Sequence, residues 1–337
     1  MASLQTILVR GATGCVRRNV RSASIALVLV AAAVALGACS AGTPASQEPA
    51  LAQSGSGTVH ATPSPERVFA GHVTLPDGRD LQADCWGSGS PTILLEAGGT
   101  RSNMNAWDYG FLMQLAEQNT VCRYSRAGGE GSTAPDGLLT YDIAIGDAFD
   151  LLGWLRDERD IGPPYVFVGW SFGGFMALAE ALERPDDTAG VVILDTDPPG
   201  NHGDFMTVCT GSGRTTEDCQ AEIDADREAI ELGAEIEARV RPLPDLPAAV
   251  VSALFFPDCR LEPGESTVAY NMNGADVTAP DCEQLAQRVA DIHLEGWTKV
   301  FPEITQTRVM AEHDRLTAQA GDAIVEVIQE VVARAAP

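Results

Sequence analysis

Residues 165–179 hold the segment that most constrains how this chain can fold. The apolar run Tyr165-Val166-Phe167-Val168 leads into Gly169-Trp170-Ser171-Phe172-Gly173-Gly174, followed by Phe175-Met176-Ala177-Leu178-Ala179. A short apolar run bounded by glycine reads as a buried strand, and the apolar stretch after the glycines reads as a helix. Ser171 therefore stands at the apex of a strand–turn–helix. Flanking glycines remove side chains that would collide in so sharp a turn, and the turn lifts the serine hydroxyl clear of the sheet edge. A Gly-rich turn with no chemistry is the plain alternative. The strand before it and the helix after it favour the reading of Ser171 as a nucleophile.

A serine nucleophile needs a base, and the chain has five histidines: His60, His72, His202, His293 and His313. In nucleophiles of this kind the order along the chain is serine, acid, histidine. His313 follows the strand-like Thr307-Arg308-Val309-Met310. It precedes an amphipathic segment, Asp322 to Ala335, whose residues Ile324, Val325, Val327, Ile328, Val331 and Val332 recur at helical spacing. It is the expected base. His293 is the runner-up, within a helix-like stretch, Val289 to Leu294, where an ordinary helix-surface role is the simpler reading. His60 falls in a linker, His72 near the first strand and His202 at the start of an insertion.

The expected acid is Asp258, two residues beyond the apolar run Ala248 to Phe256. Asp195, which ends the strand-like Gly190 to Leu194, is the alternative, because such a triad is defined by geometry and not by sequence position. Glu262, Glu265, Asp276 and Asp281 lie in the same excursion as Asp258 and stay open. The oxyanion of an acyl-transfer intermediate is expected at two backbone N–H groups. Phe172, directly after the nucleophile, is one; Gly99 is the other, in the turn Ala97-Gly98-Gly99-Thr100 after the strand-like Thr92 to Glu96, with Thr100 behind it.

These segments, together with Gly87-Ser88-Gly89-Ser90-Pro91 before the strand at Thr92 and Val121-Cys122-Arg123-Tyr124-Ser125-Arg126-Ala127-Gly128-Gly129-Glu130-Gly131-Ser132, resemble the α/β-hydrolase superfamily over residues 67 to 335. Two positions depart from many relatives. Ala97-Gly98 stands where a His-Gly pair is common, and Ser125 where an aspartate is common in the Tyr-Asp-Arg turn. Neither supplies nucleophile or base, although the loops near the site would differ. The resemblance implies a mostly parallel central sheet with helices on both faces. It also implies a serine hydrolase, with a carboxylic ester as the expected substrate. A peptidase with the same triad is the nearest enzymatic alternative, and a non-catalytic binding protein on the same fold is the alternative of a different class. No cofactor and no metal are expected.

The N-terminus reads as an export signal. Arg10, Arg17, Arg18 and Arg21 precede an apolar run from Ile25 to Leu36, too short for a permanent bilayer span but suited to a signal-peptide core. Leu36-Gly37-Ala38-Cys39 resembles a bacterial lipobox, which makes Cys39 the expected lipidated first residue and tethers the protein to the outer face of the cytoplasmic membrane. Secretion without lipid is the alternative. Residues 1–38 are then the signal peptide, residues 39–66, rich in Ser, Gly, Pro and Ala, a flexible tether, and residues 67–337 the catalytic domain.

Eight cysteines are present. With Cys15 removed and Cys39 acylated, the remaining six suit three disulfides in an oxidising compartment. In the strand order that the resemblance implies, Cys85 and Cys122 lie on neighbouring strands; Cys209 with Cys219 and Cys259 with Cys282 close local loops.

The domain opens with a hairpin, Val68 to Leu75 and Leu81 to Trp86 around Pro76-Asp77-Gly78, and then alternates strands with helices. An excursion of about residues 200–246, with a charged helical run from Glu217 to Arg239, reads as a small cap over the site. A formal charge of −25 disfavours nucleic acid and anionic lipid as partners. Most acidic positions are simply solvated. The expected partners are a small ester or peptide substrate and, through the anchor, a membrane. The sequence is silent on oligomeric state.

Overall fold

In chain order the elements are β1 (Arg67–Thr74), β2 (Asp80–Trp86), β3 (Thr92–Glu96), α1 (Tyr109–Ala116), β4 (Val121–Tyr124), α2 (Tyr141–Arg159), β5 (Tyr165–Trp170), α3 (Phe172–Glu183), β6 (Thr188–Leu194), α4 (Thr216–Ala225), α5 (Arg227–Glu237), β7 (Ala248–Phe255), β8 (Val268–Met272), β9 (Ala275–Ala279), α6 (Cys282–Thr298), β10 (Thr305–Glu312) and α7 (Leu316–Ala335). The structure is a computed structural model that describes residues 64–200, 206, 209–210, 215–256, 259–261, 264–272 and 275–335. The expected signal peptide, Cys39, His60 and nearly all of the tether lie outside the described residues, as do His202, Asp258 and Glu262.

Eight strands form one sheet in the order β1-β2-β4-β3-β5-β6-β7-β10. β2 runs antiparallel to both β1 and β4. From β4 onward every pairing is parallel. Parallel strands need crossovers, which place helices on both faces and bury both faces of each strand. That burial explains why β3, β5 and β6 read as continuous apolar runs. Along β5 the side chains alternate. Val166 and Val168 join the core layer shared with Phe111 and Leu115 of α1 and Ile324 and Ile328 of α7. Tyr165 and Phe167 join the opposite layer, with Leu151 of α2, Met176 of α3 and Trp297 of α6.

Helix starts follow local chemistry. The Asp108 side chain accepts from the Phe111 amide at 3.0 Å to open α1, and Asp281 accepts from the Gln284 amide at 2.8 Å to open α6. Disulfides join Cys85 to Cys122, Cys209 to Cys219 and Cys259 to Cys282. The first links directly paired residues of β2 and β4.

The structure differs from the sequence expectation in three elements. The charged run from Glu217 to Arg239 is broken at Asp226 into α4 and α5. The final helix begins at Leu316, with a non-helical backbone at Ala320. The excursion after β7 carries a two-stranded antiparallel hairpin, β8 with β9, ahead of α6. Among the described residues no helix is long and apolar enough to cross a membrane.

A parallel sheet collects its strand C-termini at one edge, where its loops can converge. Here β3 delivers Ala97–Thr100, β5 delivers Ser171, β6 delivers Asp195 and β10 leads into His313.

Candidate active site

Ser171 occupies a strained backbone conformation, φ 54° and ψ −129°, at the junction of β5 and α3. A non-glycine residue there costs on the order of 1–3 kcal/mol and persists only where its surroundings over-determine it. The surroundings do so. A Cβ on Gly169 would overlap the Gly173 carbonyl, and one on Gly173 would overlap the Glu96 carbonyl. The helix thus starts in direct contact with its own strand and with the end of β3. The Ser171 amide donates to the Leu194 carbonyl at 2.9 Å, and the Thr196 hydroxyl donates to the Ser171 carbonyl at 2.7 Å. Serine at a helix N-cap ordinarily spends its hydroxyl on a backbone amide. Ser171 makes no such bond, which leaves Oγ free for other chemistry.

His313 sits in a short turn between β10 and α7, half-buried, with its ring packed on Trp170 at a centroid distance of 5.4 Å. Its Nδ1 donates to Asp195 Oδ2 at 2.7 Å. That bond fixes the tautomer and leaves Nε2 as the nitrogen able to take a proton. Asp195 follows β6 with φ 48°, and its amide donates to the Val251 carbonyl at 2.7 Å. Its Oδ1 accepts from the Ala253 amide at 3.0 Å. Burial pushes the Asp195 carboxyl up, but the hydrogen bond and charge of His313 outweigh it and hold the group below its ordinary value. Burial lowers the His313 imidazole, and the bond to Asp195 and its charge overcome that, leaving the ring above its ordinary value.

The carboxylate on His313 is thus Asp195, the alternative to the favoured Asp258 in the sequence reading. Asp258 lies outside the described residues. Glu265 and Asp281 form no contact with His313 among the described residues, and Asp281 caps α6. His293, the runner-up base, is buried on α6 with Nε2 2.9 Å from Asp197 Oδ1. It pairs with a carboxylate two residues beyond Asp195. Trp297 of the same helix donates to the Thr196 carbonyl at 3.0 Å. α6 therefore braces the segment that carries Asp195, a role that its sequence does not announce.

The two expected oxyanion donors belong to the two segments next to Ser171. Phe172 is the first residue of α3, where a backbone amide has no partner within the helix and the helix dipole is positive. Gly99 takes a left-handed φ of 76°, and its amide has no hydrogen-bond partner among the described residues. A Cβ on the adjacent Gly98 would stand 3.1 Å from Ser171 Cβ, so the loop runs directly beside that serine.

Arg101, just past that loop, clasps Glu228 of α5, Nε to Oε1 at 2.9 Å and Nη2 to Oε2 at 2.8 Å. Glu228 Oε2 also accepts from the Leu139 amide at 3.1 Å. Burial raises the Glu228 carboxyl, but these bonds outweigh it and hold the group below the usual range. The insertion between β6 and β7 is thereby fastened to the end of the Gly99 loop. Among the described residues no group of three or more His, Cys, Asp or Glu side chains is placed to hold a metal ion.

A family model described as the alpha/beta hydrolase fold matches residues 91–208. No curated protein matches the sequence. Solved structures do. Alpha/beta hydrolase domain-containing protein 10 from mouse is similar with a TM-score of 0.52 and 15% identity, over 80% of this chain and 100% of its own. A hydrolase from Pseudomonas aeruginosa follows at a TM-score of 0.48 and 16% identity, over 78% of this chain and 97% of its own. A thermophilic esterase from Thermogutta terrifontis has a TM-score of 0.47 and 15% identity, over 80% of this chain and 99% of its own. With its mostly parallel eight-stranded sheet, covered on both faces and ending in the strand–turn–helix at Ser171, the chain has the α/β-hydrolase fold.

Proposed function

We propose that the protein is a serine hydrolase that cleaves carboxylic esters through an acyl-enzyme on Ser171. The observation that carries this reading is the His313–Asp195 pair at the same sheet edge as a strained, uncapped serine. His313 Nε2 takes the hydroxyl proton as Ser171 Oγ bonds to the ester carbon, and the carbonyl electron pair moves onto oxygen. The amides of Phe172 and Gly99 receive that oxyanion. Its collapse breaks the bond to the alcohol, which leaves with the proton from His313. Water then repeats the sequence on the acyl-enzyme and releases the acid. Asp195 stays ionised, orients the ring and stabilises the imidazolium.

The export signal, with three disulfides among the described residues, supports an extracytoplasmic location, and Cys39 would carry the lipid that holds the protein at the membrane. The test of the substrate class is turnover of matched p-nitrophenyl esters and p-nitroanilides. Ester cleavage should show an initial burst of one equivalent, and Ser171→Ala should cost about 10⁶-fold in kcat. Faster cleavage of the anilides would make the protein a peptidase; a folded wild type that cleaves neither would overturn the reading.

A further inference from the structure

One buried side chain grips the whole loop that carries Gly99. Arg126 lies in the turn after β4 and is 2% exposed. Its Nε donates to the Thr100 carbonyl at 2.9 Å, and its Nη2 donates to the Ala97 carbonyl at 2.6 Å and to that of Gly99. Its Nη1 pairs with the carboxylate of Glu96, the last residue of β3, which is fully buried. One guanidinium therefore contacts residues 96, 97, 99 and 100. The Ala97 and Gly99 carbonyls drawn toward Arg126 fix the peptide planes on either side of the Gly98–Gly99 peptide, which carries the Gly99 amide, so that this peptide is held from both ends.

We propose that Arg126 is a positioning residue that holds the Ala97–Thr100 loop with the Gly99 amide facing the Ser171 oxyanion, an inference that rests on the serine-hydrolase reading above. Only a planar fork with five donors can hold carbonyls on three residues and a carboxylate together; a lysine is a single point of charge and cannot. The loop's next side-chain tie lies just past it, from Arg101 to Glu228 of α5, and the left-handed φ of Gly99 is a conformation that glycine leaves readily.

The surroundings are arranged for one positive charge. Glu180 of α3, fully buried, lies beside Glu96, and burial together with the Glu96 charge pushes its carboxyl well above the usual range. Tyr124 closes the cluster as a neutral phenol, raised by burial and by the same carboxylate. Arg126 spends one nitrogen on Glu96 and its remaining donors on the loop.

The test compares wild type with Arg126→Lys for three quantities: kcat, KM for a p-nitrophenyl ester, and affinity for a boronic acid that forms a tetrahedral adduct on the serine. Misplacing the donor should lower kcat by about 10²-fold with KM changed less than about threefold, and should weaken the boronate by the same factor as kcat/KM. Guanidinium ion should restore part of kcat to Arg126→Gly. A folded Arg126→Lys that loses thermal stability but keeps kcat and boronate affinity would overturn the inference alone. Should Arg126→Lys not fold, Glu96→Gln, which keeps the three carbonyl contacts and frees the guanidinium from its anchor, must show the same split to a smaller degree, and equal kcat would overturn it. A wild type that neither turns over ester nor binds boronate would overturn the serine-hydrolase reading and this inference with it.

Discussion

The Asp195 carboxylate meets the His313 ring from the end of β6. The two are 118 positions apart, and the choice between Asp195 and Asp258 depends on which sheet neighbour delivers the carboxylate to the ring. Strand order decides that, and no local pattern encodes it. Ser171 and His313 were easier, since a glycine collar and a turn between a strand and a helix are local features. The pair makes an ordered prediction for pH. Asp195 holds the His313 imidazole above its ordinary value, so kcat/KM should rise with pH through a midpoint above about 6.5 as the ring loses its proton. The stability that the pair supplies has the opposite sense for the ring, being full below that ordinary value and lost as pH rises through the raised one. Asp195→Asn should cost about 10⁴-fold in kcat and move the midpoint down, while Asp258→Asn should leave both near wild type. The reverse ranking would transfer the role to Asp258.

At the scale of elements, strands β3, β5, β6 and β7 could be read directly because parallel strands buried on both faces are unbroken apolar runs. The hairpin of β1 and β2 could be read from its Pro-Asp-Gly turn. Two things could not. β8 and β9 are only five residues each, and they pair with each other and not with the main sheet. The cap helices could be read as charged helix, but not as fastened to the catalytic loop, because Arg101 and Glu228 meet only in three dimensions. That clasp has a measurable consequence. The lowered Glu228 carboxyl stabilises the folded state above its ordinary titration range, and the contribution fades as pH falls through the depressed value. Glu228→Gln should therefore raise amide hydrogen exchange in residues 227–237 at neutral pH while leaving α3 and β5 protected. Unchanged exchange in that helix would show that the clasp is not what holds it.

For the molecule as a whole, the sheet edge gathers a strained serine from β5, a carboxylate from β6, a histidine from the turn after β10 and a glycine loop from β3. Each part is held by something outside itself: the serine by the glycine collar and Thr196, the carboxylate by β7 and α6, the loop by Arg126. The expected export signal and Cys39 lie outside the described residues and have their own test. Intact-mass analysis of the mature protein should find a diacylated Cys39, which supplies the two chains that stable membrane attachment requires; a free amine at that residue would make the enzyme a secreted one. The central claim is that Ser171 is an activated nucleophile, and the most direct measurement is covalent capture by a fluorophosphonate, read by mass spectrometry of the intact protein and its peptides. A single adduct on Ser171 is expected in wild type, with none in Ser171→Ala and much slower labelling in His313→Ala. A folded wild type that takes no adduct, or a Ser171→Ala variant that still does, would contradict it.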